Sequence, residues 1–146
     1  MSDEAGLKAA LAGLPEGDES PLARLPGTHF ARWVVMPGSR LLFSATHDRA
    51  VPDYVEQIAR LIPDEADRVW GHCDGYPGAA DPATFVGYMD KHRIRTNLFV
   101  SAYPHADLAE VREGLDLRAR LGGFAPRAQS MGPEELRAAF AEAGLG

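Results

Sequence analysis

The residue types best suited to chemistry gather in GHCDGYPG, residues 71–78, where His72, Cys73, Asp74 and Tyr76 stand between glycines. His72 can serve as acid, base or metal ligand, because an unperturbed imidazole titrates near neutrality. Cys73, the only cysteine, can act as a nucleophile if an adjacent base or dipole lowers its pKa. The glycines permit tight turns and close approach to a ligand, and Tyr76 can line such a site. Each residue also has a structural reading. A lone cysteine often packs as a small hydrophobe, His72 can tie down the loop by hydrogen bonding, and Tyr76 can plug the core. If residues 70–73 are extended, His72 and Cys73 face opposite ways and cannot chelate one metal.

Further candidates lie elsewhere. THFAR contributes His29 and Arg32, and THD contributes His47 beside Asp48. Arg32, placed in a strand, is too costly to bury without a carboxylate or a bound anion. His47–Asp48 suggests a triad, although sequence neighbours rarely adopt that geometry and no G-x-S-x-G motif accompanies them. Asp48 can equally pair with Arg49 or favour the start of a helix. Asn97 and Tyr103 sit in a mixed polar and apolar row of the kind that lines a ligand cavity. His29, His47 and His72 lack the local spacing of a zinc motif. His92 and His105 read as helix-end residues. No P-loop, dinucleotide fingerprint or EF-hand loop is present.

Apolar periodicity suggests the elements that must position these groups. Residues 2–14 read as a short amphipathic helix capped by Ser2, followed by an acidic Pro/Gly loop, so residues 1–25 form an N-terminal arm. Residues 26–146 then read as a single α+β domain. Strands are expected at 28–36 and 41–47, joined by the PGSR turn, and again at 68–73 and 96–103. Helices are expected at 52–62, with Pro63 as its stop, and at 82–92. A third begins at Asp107 with a capping box to Glu110 and ends at Gly122–Gly123, and the last spans 133–143. An even-length turn would pair Met36 with Leu41 and place Phe30, Arg32, Val34, Met36 and His47 on one face. A three-residue loop would break that register.

Without one helix, this order is a permuted ferredoxin-like plan, β-β-α-β-α-β-α, with helices on one face of an antiparallel sheet. The opposite face then needs cover from a second subunit or from the extra helices, which suggests a dimeric α/β barrel and a homodimer.

Composition narrows the partners. The chain has 146 residues, 45% hydrophobic and 25% charged, which suits a globular domain able to bury a core unaided. A net charge of −6 without a Lys/Arg run gives no footprint for nucleic acid or an anionic membrane. No apolar run is long enough to suggest a membrane span, the N-terminus carries acids rather than a signal's basic stretch, and one cysteine suits a reducing compartment. The expected setting is cytoplasmic.

The string LPGTHFARWVV at 25–35, followed by GHCDGYP at 71–77, resembles a family of bacterial proteins over about residues 21–121. The inferred plan is similar to the dimeric α/β-barrel superfamily, which includes small oxygenases, haem-degrading enzymes and dye-decolourising peroxidases. That resemblance implies oxidative chemistry on a hydrophobic organic molecule, with haem or iron as the candidate cofactor. Arg32 would orient an anionic group, His47 and His72 would handle protons or ligate iron, and Cys73 would join them. His29, Tyr76, Asn97 and Tyr103 would line the substrate cavity. The alternative is a non-catalytic module that binds a ligand or a partner through the same cavity or an exposed sheet edge.

Overall fold

The computed structural model describes residues 3–144. The chain is α+β, with one two-stranded antiparallel sheet and six α-helices among the described residues. It divides into two compact units, one running to Ala102 and the other beginning at Tyr103.

In the first unit, α1 (Glu4–Ala12) is capped by Asp3, whose side chain accepts from the Gly6 N–H; the Ser2 cap expected from sequence lies outside the described residues. Two 3₁₀ turns follow, Gly17–Glu19 and Pro21–Arg24. They lead into the hairpin of β1 (Thr28–Met36) and β2 (Arg40–His47). The connection is Pro37–Gly38–Ser39, a three-residue loop with Gly38 and Ser39 at φ 78° and 54°. This loop type pairs Met36 with Arg40 and Trp33 with Phe43, so the expected Met36–Leu41 register is corrected.

The pleat then sorts the strands. Ala31, Trp33, Leu41, Phe43 and Ala45 pack onto the helices, whereas Phe30, Arg32 and Val34 are exposed on the other face.

Helix α2 (Val51–Leu61) has Pro52 in its first turn and buries Tyr54, Val55, Ile58 and Ala59. Pro63 does not end the helical region. It opens α3 (Pro63–Trp70), because proline suits a first helical turn and Asp64 and Glu65 complement the positive helix end. Ala66, Val69 and Trp70 then recur at helical spacing and are buried, which replaces the strand expected at 68–73. Helix α4 (Pro82–Lys91) is capped by Asp81 and buries Phe85.

Trp33, Phe43, Trp70 and Phe85 form a chain of ring contacts with centroids 5.3–5.8 Å apart. Leu22 and Leu25, from the N-terminal arm, belong to this same core, and Leu7 of α1 is fully buried.

The strand expected at 96–103 does not form: residues 93–101 have no regular structure and are exposed. A strand needs a hydrogen-bonded neighbour, and no edge among the described residues is paired with this segment. Among the described residues the sheet therefore has two strands where four were expected.

The second unit contains α5 (Leu108–Ala128) and α6 (Pro133–Glu142). Asp107 and Glu110 form the expected capping box. Helix α5 continues through Gly122–Gly123 instead of stopping there, and Phe124 packs edge-on to Phe140 at 5.8 Å.

Candidate functional site

The open end of the hairpin collects the closest set of titratable side chains among the sequence candidates. A register shift between Thr28 and Phe30 sets Thr28 opposite His47. Gly27, at φ 75°, accepts a backbone hydrogen bond from the Asp48 N–H at 3.1 Å, and a Cβ there would stand 3.0 Å from the Asp48 carboxylate. Glycine is thus needed for both conformation and clearance. His29 donates from Nε2 to Asp48 Oδ1 at 2.6 Å, so Asp48 pairs with His29 across the strand ends. Beside this pair, His47 stacks on Tyr54 with centroids 4.0 Å apart and planes within 5°. Thr28 Oγ1 donates to the Tyr54 hydroxyl at 3.1 Å.

Burial dominates the electrostatics here. It lowers the His47 pKa below its ordinary value, only partly offset by the Arg49 backbone and the Asp48 charge. His47 Nδ1 is buried with no hydrogen-bond partner among the described residues. Burial also raises the Tyr54 pKa, with a smaller opposing effect from Thr28. A neutral imidazole and a neutral phenol therefore face each other at neutral pH.

GHCDGYPG lies elsewhere in the unit, between α3 and α4, and most of its residues have structural partners. His72 Nδ1 stands 3.3 Å from Asp3 Oδ2, the carboxylate that caps α1. Gly6 allows this approach, since a Cβ there would meet the His72 ring at 2.9 Å. Cys73 packs against the core, and burial pushes its thiol pKa up, away from the thiolate a nucleophile requires. Tyr76 donates to Asp67 Oδ1 at 2.7 Å, and the same oxygen accepts from the Ala79 N–H at 2.8 Å. Burial and that carboxylate raise the Tyr76 pKa strongly. Its ring meets Phe85 and Tyr88 edge-on. Asp67 therefore latches the loop to α3.

Arg32 is exposed on the outer sheet face, and no hydrogen bond, ion pair or ring contact joins it to His47 or His72 among the described residues. Asn97 and Tyr103 are exposed, with Tyr103 at 71%. His92 donates from Nδ1 to the Tyr88 carbonyl at 2.8 Å, the helix-end role expected of it.

No three His, Cys, Asp or Glu side chains among the described residues are placed to hold a metal ion, so the residues present do not fit an iron centre built from the three histidines. One open groove of about 460 Å³ runs between α2 and α4, lined by Asp53, Glu56, Arg60 and Asp81 together with Pro52, Pro82, Ala83 and Val86. None of the sequence candidates lines it. Its charges are largely committed: Glu56 pairs with Arg60 at 2.6 Å, and Asp81 caps α4.

Tyr54 and Asp67 were not legible as site residues. Tyr54 reads as one more member of an apolar helix face, and Asp67 as a solvent-facing acid.

Ile94, Leu98, Phe99 and Val100 are strongly exposed, at 79%, 83%, 66% and 80%, as is Phe30 at 78% on the outer sheet face. No family model, curated protein or solved structure matches this chain. Among the described residues, no helix is long and apolar enough to cross a membrane.

Proposed function

We propose that this chain is a partner-binding module, with residues 94–100 as its principal contact surface. The observation that carries this reading is the exposure of three consecutive large apolar residues, Leu98, Phe99 and Val100, in a segment that has no regular structure and no buried residue. Single exposed hydrophobics are ordinary, whereas a contiguous apolar patch marks a binding surface. The structural roles of His72, Cys73 and Tyr76 support it further, because they account for most of the GHCDGYPG motif without catalysis.

The test is site-specific photo-crosslinking in cells, with the reactive group placed at Phe99 or, as a control, at Glu142 on α6. The expected result is a discrete adduct from position 99 that disappears when Leu98→Asp and Val100→Asp are added. Equal labelling from both positions would count against a dedicated surface.

The oxidative enzyme of dimeric α/β-barrel type is the second reading. It is favoured by the His29–Asp48 pair set beside the stacked His47–Tyr54 rings. In it, Asp48 orients His29 for proton transfer at the mouth of the hairpin. Turnover of a hydrophobic substrate that is lost in His29→Ala and Asp48→Asn, with melting temperature retained, would establish it.

A further inference from the structure

We infer that residues 96–100 of one copy add as a third antiparallel strand to the free edge of β2 in a second copy, and that the exchange is reciprocal. The inference rests on the reading of this segment as a contact surface and names its occupant.

Both halves of the contact are present in one chain. The donor, TNLFV at 96–100, has an alternating pattern: in an extended strand Leu98 and Val100 would share one face, Asn97 and Phe99 the other. Residues 94–100 make no backbone–backbone hydrogen bond among the described residues. The acceptor is β2. Helix α1 and the Pro21–Arg24 turn contact β1, and the backbone of residues 41–47 bonds to nothing but β1 among the described residues. A two-stranded hairpin is marginal alone, and an open edge is a template for a further strand.

The two faces match. Leu98 and Val100 would continue the core-facing row of Leu41, Phe43 and Ala45. Asn97 and Phe99 would lie beside Leu42, Ser44 and Thr46 on the outer face, a mixed row meeting a mixed row.

The area agrees with a second copy. Leu98 and Val100, the side chains an added strand would turn inward, present on the order of 300 Å² of exposed surface per copy. Two symmetric additions, counted on both partners, would bury about 1,200 Å², at the lower end of the roughly 1,200–2,000 Å² of stable interfaces. Because each copy supplies one donor and one acceptor, a two-fold arrangement closes without leaving a strand unpaired.

The experiment is hydrogen exchange on the full chain across a hundred-fold concentration range, with sedimentation on the same samples. The expected result is a dimer in which the amides of β2 and of residues 96–100 slow together as concentration rises. Leu98→Asp/Val100→Asp should sediment as a monomer, with both segments exchanging fast. A monomer whose residues 96–100 exchange fast at every concentration would overturn the second-copy inference and leave the segment available to a different partner. A monomer in which they are protected at every concentration would overturn both, because the strand would then be filled from within the chain.

Discussion

At the scale of single residues, the hairpin mouth sets its charges by burial. The His47 pKa is lowered because its ring stacks on Tyr54 and is partly removed from water. Its folded pKa lies below the ordinary value of 6.5, so its contribution to stability is complete above that value. As pH falls, the unfolded chain takes up the proton first, and that stability is lost down through the folded pKa. His47→Phe keeps the stacked ring and removes the titration. Its melting temperature should fall less steeply than the wild type's between pH 7 and pH 5, and parallel slopes would show that His47 contributes nothing to the acid response. Asp67 permits a second test. Removing the acceptor shared by Tyr76 and Ala79 in Asp67→Ala should cost about 1–2 kcal/mol by denaturant titration, with Asp67→Asn recovering part of it.

At the scale of elements, the sheet depends on aromatic packing across its one covered face. Trp70 touches Trp33, Phe43 and Phe85 and is almost wholly buried, so Trp70→Ala should cost roughly 3–5 kcal/mol or prevent folding of the first unit. A midpoint shift below 1 kcal/mol would mean the cluster is not the core. The same elements show what could be read from sequence. The hairpin, α2, α4, the Asp107 capping box and α6 were legible because each carries both an apolar period and a local start or stop signal. Helix α3 was not. Its Pro63 serves as well to begin a helix as to end one, and only the burial of Ala66, Val69 and Trp70 decides between these. The hairpin register turned on one loop residue: the three-residue loop sets Arg32 opposite Ser44 on the exposed face, with Trp33 and Phe43 on the covered one. Residues 96–103 have strand composition without a strand, because pairing depends on a neighbour that composition does not supply.

At the scale of the whole molecule, the described residues combine an exposed apolar segment with a sheet of two strands. Association through residues 94–100 explains both features, since a partner would bury the first and extend the second. The claim requires that these side chains contribute little to the fold of the isolated chain. Denaturant unfolding of Leu98→Asp/Val100→Asp at low protein concentration tests it most directly. Exposed positions usually change stability by no more than about 0.5 kcal/mol each, so the double variant should unfold within roughly 1 kcal/mol of the dilute wild type. A loss of several kcal/mol would place Leu98 and Val100 in the core and contradict the account.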